Sequence, residues 1–270
     1  MLRRLCLLAA ITLLAAPATP ETARPAAGVL AAIDDLLGDA YPMKLPGAAA
    51  IVAVDGKAVF KRAYGLADAE FGILLEPDMV FRIGSVTKAF TAALVLKLVE
   101  QGDLSLTEPV TTYLPDSPPG WRAITLEHTL AHTSGLPNYT ARPEYRARMA
   151  EALTVEELLA RFASLPLEFT PGTRWSYSNS GYAVAGAVVE QVTGRPFAEV
   201  LRDRLLAPVG LHRTMYDDPR QVVPRRARGY VVAGEEVLHA PYLHMSQAYA
   251  AGALASTLDD LAAWDTALTN

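Results

Sequence analysis

Apolar residues recur every three or four positions over much of this chain, which is the spacing of one face of an α-helix. The pattern predicts four helices, over 28–37, 85–101, 181–193 and 196–206. Glycines at 102 and 194 directly follow two of these segments, and glycine is the residue most favoured just beyond a helix end. The pattern therefore predicts short helices, two of which end just before a glycine.

Two further helices are indicated by the residues that would start them. Thr154 and Glu157 form a capping box, in which each side chain bonds to the backbone N–H of the other residue. Thr257 and Asp260 have the same spacing near the end of the sequence and precede three apolar residues at helical spacing. We expect one helix to begin at each pair.

Strand signals are concentrated near the start of the chain. Two segments of strand-forming residues, 48–54 and 57–64, are separated by Asp55-Gly56. Asp-Gly between two such segments is a strong β-hairpin signal, because both turn positions need positive φ angles. An early hairpin, a helical middle and a few short strands predict an α+β fold.

The N-terminal residues have the pattern of a secretory signal peptide. Arg3 and Arg4 precede a short apolar run, and small residues follow at the spacing of a cleavage site. The run is too short to span a bilayer comfortably. We therefore expect a signal peptide at 1–18, a linker at 19–27 and one domain at 28–270, in a periplasmic or secreted protein that has no stable membrane insertion after cleavage.

Composition excludes several other classes of protein. The 270 residues carry a net charge of -5 and no basic stretch, which argues against nucleic-acid binding. Cys6, the only cysteine, lies within the expected signal peptide. The mature chain would therefore have no disulfide, no cysteine nucleophile and no thiolate metal site.

Ser85 and Lys88 are the first candidates for chemistry. Residues three apart share a helix face, so the hydroxyl and the amine lie within reach of each other. A serine hydroxyl needs a base to become a nucleophile, and a lysine can be that base only without its proton. The residues after Lys88 are apolar or small for two turns, and burial lowers the pKa of a lysine. The pair therefore predicts a serine nucleophile with a proton partner.

Tyr177 and Asn179 form a second group of candidates, between a Pro-Gly turn and a helix. A tyrosine near a lysine can act as a general base, and an asparagine amide can donate to a substrate. Either group alone is a weak signal, whereas both together, in this order, are more specific. Whether Lys88 or Tyr177 takes the serine proton stays open at this stage.

Four blocks of sequence, at 81–90, 130–136, 177–182 and 251–257, strengthen this interpretation. In this order they resemble the serine β-lactamase and penicillin-binding protein superfamily, in the branch of class C β-lactamases, D-Ala-D-Ala carboxypeptidases, D-aminopeptidases and related esterases. The resemblance implies an antiparallel sheet flanked by helices plus a helical region. It also implies an acyl-enzyme at Ser85, proton transfer by Lys88 and Tyr177, and an oxyanion contact from the Ser85 N–H.

The resemblance also implies the kind of substrate and what is not needed. Asn179 would orient Lys88 and the substrate amide. The substrate would be a small molecule or peptide, namely a β-lactam, a D-amino-acid peptide or a small ester. No metal or organic cofactor would take part. Oligomeric state is left open.

One motif of the superfamily is missing from the sequence. Its third motif, Lys-Thr-Gly or His-x-Gly on a strand, occurs nowhere in this chain. We therefore expect a domain that is incomplete at its C-terminus, with strands of the sheet missing. The alternative to an active hydrolase is a catalytically silent module that captures penicillin or peptidoglycan-like peptides, or a defective fragment.

His128 and His132 allow a third interpretation, a metal-dependent hydrolase. Their spacing of four is that of a helical metal pair, but a helix-breaking Thr-Ser-Gly follows at once. Structural roles are therefore favoured for both histidines, and a turn for Ser134. Trp175 and Tyr182 flank the second motif and are expected either to line a pocket or to pack in the core.

Overall fold

The computed structural model describes residues 27–234 and 236–269. The expected signal peptide and the linker up to residue 26 lie outside the described residues, whereas residue 27 already belongs to the first helix. Within the described ranges, no helix has the length and apolar character needed to cross a bilayer.

Along the described chain, one helix is followed by five strands, a helical middle, and then short strands and two more helices. The helices are α1 (Ala27–Ala40), α2 (Thr87–Glu100), α3 (Val110–Tyr113), α4 (Leu126–Leu130), α5 (Pro143–Arg148), α6 (Val155–Ala163), α7 (Asn179–Thr193), α8 (Phe197–Leu201), α9 (Ala207–Val209), α10 (Met245–Gly252) and α11 (Leu258–Thr269). The strands are β1 (Ala48–Val54), β2 (Lys57–Tyr64), β3 (Leu66–Asp68), β4 (Ile73–Leu74), β5 (Phe81–Arg82), β6 (Met215–Tyr216), β7 (Tyr230–Ala233), β8 (Glu236–His239) and β9 (Leu254–Ser256). The predicted α+β class is confirmed.

The hairpin lies where the sequence predicts it. β1 and β2 pair antiparallel, with Val54 opposite Lys57, and a bulge after Val52 shifts the register. Asp55 and Gly56 both have positive φ, 50° and 70°, as a two-residue turn of this hand requires. Helices α1 and α11 pack against this hairpin.

A three-stranded sheet of order β5-β9-β6 supports the segment that leads into α2. β9 lies in the middle, with Ala255 opposite Arg82 on one side and Met215 on the other. The backbone continues this contact, since the Ile83 N–H donates to the Leu254 carbonyl over 3.0 Å. The start of α2 is therefore held against β9, although the two are far apart in sequence.

The core is built around α2 and α7. Phe90, Leu94 and Leu98, the apolar face predicted for α2, are all completely buried. Most side chains of α7 are small and apolar, and the helix is buried from Ser180 to Val189. A Cβ added at Gly186 would lie 2.5 Å from the Ala250 Cβ, so the glycine lets α10 approach α7 closely.

Several helix boundaries differ from the prediction. α2 begins at Thr87 rather than at 85, because Gly84–Val86 form a separate 3₁₀ turn. α7 begins at Asn179 rather than 181, because the Ser178 hydroxyl caps it by accepting from Gly181 N–H. The helix predicted over 196–206 contains a wider turn at Arg202–Leu206 and continues to α9, which ends at Gly210 with φ 79°. A wider turn of this kind changes which residues share a face, so the 3.6-residue pattern does not reveal it.

The two predicted caps have different outcomes. At α6 the full capping box forms, with Thr154 and Glu157 each bonding the backbone of the other. At α11, Thr257 Oγ1 accepts from Asp260 N–H over 3.3 Å. The Asp260 carboxylate does not return the bond; it accepts from Arg213 N–H and Thr214 Oγ1, both over 2.8 Å. Asp260 thus ties α11 to the segment before β6.

We predict that the contact of α11 with α2 is a major part of the stability of the fold. The Trp264 ring stacks on the buried Phe90 ring with centroids 4.3 Å apart. Trp264→Ala should lower the free energy of unfolding by about 3–5 kcal/mol, measured by urea denaturation. Leu268, on the same helix, is 58% exposed, and Leu268→Ala should cost less than about 0.5 kcal/mol. Equal losses in the two variants would contradict this assignment.

Candidate active site

Ser85 lies in a tight turn between β5 and α2. Gly84, Ser85 and Val86 form a single 3₁₀ turn that leads directly into α2. Gly84 has φ 50°, a conformation that favours glycine. Ser85 is exposed, whereas Lys88, one turn later, is only 6% exposed. The hydroxyl is therefore accessible from solvent, while the amine beside it is shielded.

The four residues singled out by the sequence converge at this point. Ser85 Oγ lies 2.7 Å from Tyr177 Oη, and either atom can be the donor. Lys88 Nζ lies 3.2 Å from Ser85 Oγ and donates to Asn179 Oδ1 over 2.7 Å. The two motifs, about 90 residues apart in sequence, thus form one hydrogen-bonded cluster.

Lys88 has a further partner that no motif predicts. Its Nζ donates to the main-chain carbonyl of Ala251 over 2.7 Å. The two carbonyl oxygens, of Ala251 and of the Asn179 side chain, can only accept, so each takes one N–H. The remaining position on Nζ faces Ser85 Oγ, and it carries either an N–H or, in the neutral amine, the lone pair.

Burial lowers the pKa of Lys88, and the neighbouring Tyr177 opposes this effect. The direction is the one that the apolar surroundings of Lys88 in the sequence predict. Nζ also lies 4.9 Å from the centroid of the Tyr177 ring and 5.4 Å from that of Tyr182. The amine is thus enclosed by aromatic rings and carbonyl oxygens.

A chain of hydrogen bonds orients the Asn179 amide. Its Nδ2 donates to Thr140 Oγ1 over 2.8 Å, and Thr140 Oγ1 donates in turn to Asn138 Oδ1 over 3.1 Å. Asn138 Oδ1 also accepts from the Asn179 backbone N–H. Because the Thr140 hydroxyl donates to Asn138, it accepts from the amide nitrogen, and Asn179 Oδ1 is left to face Lys88.

His132 supports the loop that carries Tyr177. It has a left-handed backbone, φ 60°, and its Nδ1 accepts from Ser178 N–H over 3.1 Å. Its ring lies 4.7 Å from the Tyr177 ring and 5.3 Å from that of Tyr182. Partial burial lowers the pKa of His132, and the positive charge of Lys88 adds to this effect. A neutral imidazole is what the bond from Ser178 requires.

The histidine pair does not lie on a common helix face. α4 ends at Leu130, so His132 is outside it. His128 Nδ1 accepts from Thr125 N–H and completes a capping box at the start of α4. Both imidazoles thus have structural contacts, as the sequence favours. Ser134 is buried and its Oγ accepts from Leu136 N–H, which is the expected turn.

The two flanking aromatic residues have different environments. Tyr182 is buried and its hydroxyl donates to the Leu130 carbonyl over 3.0 Å. Trp175 is 64% exposed, with its ring edge-on to His132 at 6.0 Å. Tyr182 therefore packs in the core, and Trp175 lies at the surface beside the Tyr177 loop.

A cavity of about 170 Å³ adjoins Ser85 and Asn179. The aromatic rings of Tyr139 and Tyr145 line it, together with Leu243. Larger cavities of about 840 and 760 Å³ include none of the four candidate residues. The hydrogen-bonding chemistry, rather than cavity size, therefore marks the candidate active site.

Sequence reasoning missed several contributors to this site. Asn138, Thr140 and the Ala251 carbonyl contact the candidates across 39 to 163 residues of chain. Ala251 lies in the block 251–257, which signals the family resemblance, but its side chain gives no hint that its main-chain carbonyl bonds Lys88. Asn138 and Thr140 belong to no motif at all.

We predict that His132 makes stability depend on pH. Because the pKa of folded His132 lies below the unfolded value of about 6.5, the unfolded state binds the proton more readily. Stability should therefore be lost as the pH falls from about 6.5 through the folded-state pKa. His132→Asn keeps an acceptor for Ser178 and tolerates positive φ, but it does not titrate. It should flatten this part of the profile of unfolding free energy against pH, measured by urea denaturation.

His212→Asn, at an exposed histidine, is the matched control and should leave this slope unchanged. An unchanged slope in His132→Asn would contradict the assignment.

The chain is similar to known proteins in sequence and in fold. Residues 39–270 match the family model described as Beta-lactamase. The chain is 39% identical to esterase EstB of Burkholderia gladioli, covering 69% of this chain and 51% of that protein. It is 30% identical to the putative penicillin-binding protein PbpX of Bacillus subtilis, covering 81% of this chain and 54% of that protein.

A solved structure has a similar fold. The D-amino acid amidase from Ochrobactrum anthropi, complexed with D-phenylalanine, aligns with a TM-score of 0.75 and 29% identity. The alignment covers 87% of this chain and 69% of the amidase. The chain spans about half the length of the two curated relatives above. With the family model matched over most of its residues, the chain belongs to the β-lactamase family of serine hydrolases.

Proposed function

We propose that this chain carries the nucleophile and the proton-transfer groups of an exported serine acyl-hydrolase. The observation that carries the proposal is the position of Lys88 Nζ, held by two carbonyl oxygens and directed at Ser85 Oγ. The same hydroxyl lies 2.7 Å from Tyr177 Oη. An exposed hydroxyl with two titratable partners is the arrangement that nucleophilic catalysis needs.

The reaction would proceed through an acyl-enzyme. Ser85 Oγ attacks the substrate carbonyl carbon and loses its proton to Lys88 or Tyr177. The carbonyl oxygen becomes an oxyanion, for which the Ser85 N–H is a donor. The proton then passes to the leaving amine or alcohol as its bond to the carbonyl carbon breaks. Water attacks the ester of Ser85, and the proton that it loses returns to the serine.

Asn179 would have a positioning role toward Lys88 and a binding role toward substrate. Its Oδ1 already accepts from Lys88, and its amide nitrogen is held by Thr140. The side chain also lines the cavity beside Ser85. A substrate amide that enters this cavity would therefore meet a preoriented polar group.

The substrates proposed are β-lactams, D-amino-acid peptides or amides, and small esters. Support comes from the names of relatives, which include an esterase, a penicillin-binding protein and a D-amino acid amidase. The chemistry needs no metal or organic cofactor. The N-terminal signal pattern, two arginines before a short apolar run, supports export.

We predict that Ser85, the exposed hydroxyl of the cluster, is labelled covalently by a fluorophosphonate, which phosphonylates it with loss of fluoride, or by a fluorescent penicillin, which acylates it as the β-lactam ring opens. Wild type should take the label and Ser85→Ala should not, with the modified peptide identified by mass spectrometry. Ser164→Ala, at an exposed serine just beyond α6, is the control and should label like wild type. Equal labelling of wild type and Ser85→Ala would refute the proposal.

Turnover distinguishes the hydrolase from the alternative. Release of the acyl group from Ser85 supports a hydrolase, whereas a permanent label with β-lactams and esters alike supports the silent binding module. Labelling that a chelator abolishes would instead favour the metal-dependent alternative with His128 and His132.

We predict that acylation depends on pH through Lys88. If the neutral Lys88 amine takes the serine proton, the rate should rise with pH at a midpoint below about 10.4, the pKa of an exposed lysine, because burial lowers the pKa of Lys88. Lys88→Arg cannot lose its proton and should lower the rate by about 10²–10⁴-fold and remove the rising limb. The measurement is the second-order labelling rate between pH 5 and 10.

Lys97→Arg, the same substitution on the same helix, is the control and should retain the wild-type profile. If Lys88→Arg keeps the rising limb and Tyr177→Phe loses it, the tyrosine takes the proton instead.

A further inference from the structure

Asp217 is a completely buried carboxylate. It directly follows β6, and both of its oxygens are bonded by arginines. Arg82 Nε donates to Oδ2 over 2.6 Å. Arg226 is bidentate, with Nη1 to Oδ1 over 2.7 Å and Nη2 to Oδ2 over 2.9 Å. These three charge-assisted hydrogen bonds fix the buried carboxylate and the two guanidinium groups in one geometry, so Asp217, Arg82 and Arg226 form a rigid junction.

Arg82 connects this junction to Ser85. It is the last residue of β5, and only Ile83 and Gly84 separate it from Ser85. Gly84 is in the left-handed region, and the 3₁₀ turn that holds Ser85 is a single turn. The position of the Ser85 backbone thus depends on how rigidly the end of β5 is held, and β5 is only two residues long.

The main chain of Asp217 makes a second connection, toward Lys88. Its N–H donates to the Ala253 carbonyl over 2.8 Å. Ala253 lies two residues beyond Ala251, whose carbonyl accepts from Lys88. One residue therefore bonds both the segment that ends at Ser85 and the segment that holds the amine.

We propose that Asp217 is a positioning residue for the nucleophile and that it acts through Arg82. The ion pair holds the end of β5 so that Ser85 Oγ stays within hydrogen-bond distance of both Tyr177 Oη and Lys88 Nζ. Displacing a reacting atom by about 1 Å can cost about 10²-fold in rate. The inference rests on the proposed role of Ser85.

Arg226 is the matched control that the chain provides. It bonds the same carboxylate with two N–H groups, so its loss removes at least as much ion pairing as the loss of Arg82. Arg226 forms a β-bridge with Val80. Val80 precedes Ser85 by five residues, so Arg82 lies between this bridge and Ser85 in the sequence. If the junction had only a structural role, the loss of either arginine would lower the labelling rate equally, or the loss of Arg226 would lower it more.

The experiment compares Arg82→Gln, Arg226→Gln and Arg82→Lys in the full chain. The saturating rate and the apparent affinity of fluorophosphonate labelling are measured separately, and hydrogen–deuterium exchange is followed in the peptide that covers residues 81–90. Arg82→Gln should lower the saturating rate between about 10-fold and 100-fold with the affinity unchanged, and speed exchange at 83–86. Arg226→Gln should stay within about twofold of wild type in rate. Arg82→Lys, which keeps a cationic donor, should recover most of the rate.

Equal rate losses in Arg82→Gln and Arg226→Gln, or no loss in Arg82→Gln, would overturn the inference. If Arg82→Gln does not fold, hydrogen–deuterium exchange at 83–86 in Arg82→Lys and Arg226→Lys decides. A lysine cannot reproduce the guanidinium contact, so exchange should speed up in Arg82→Lys alone, and equal exchange in the two variants would overturn the inference. A wild-type chain that takes no label refutes the proposed function instead. Exchange at 83–86 then decides the role of the ion pair: faster exchange in Arg82→Gln alone supports it, and unchanged exchange overturns it.

Discussion

Burial of the Lys88 amine is the constraint around which this structure is arranged. An ammonium or amine that is taken out of water must have hydrogen-bond partners, because an unsatisfied polar group in the interior is costly. Lys88 finds them in the Asn179 side chain, the Ala251 carbonyl and Ser85 Oγ. These partners come from three separate segments, so the requirement of one side chain brings the start of α2, the start of α7 and the end of α10 together.

The packing that allows this convergence depends on small residues. Gly186 lets α10 lie against α7, since any side chain there would overlap Ala250 and the Tyr249 ring. Tyr249 itself has φ 42° and ψ -136°, which interrupts α10 just before Ala251. Such a backbone is rare outside glycine and persists only where the surroundings enforce it. The orientation of the Ala251 carbonyl toward Lys88 is therefore a product of close helix packing.

One fold in this family occurs in proteins with different names. Relatives with this fold carry names that span an esterase, a penicillin-binding protein and a D-amino acid amidase. Names as different as these on one fold imply that the fold alone does not set the substrate, which depends on the side chains around the site. In this chain the cavity beside Ser85 is lined by Tyr139, Tyr145 and Leu243, which are outside the hydrogen-bonded cluster. These side chains are where substrate selection would be decided.

The sequence by itself determined the features that depend on near neighbours. The hairpin turn at Asp55-Gly56, the cap at Thr154 and the Ser85–Lys88 spacing follow from φ preferences, local hydrogen bonds and helix period. Tertiary structure alone decided that Asn138 and Thr140 orient the site amide and that the main chain of Ala251 holds the amine.

The Asp217 junction likewise joins residues 135 apart, and its arginines look like ordinary surface charges in the sequence. The physical reason is the same in each case. A contact between distant segments depends on the packing of the whole core. Every residue has a backbone carbonyl, so the residue type does not reveal which carbonyl contributes to the site.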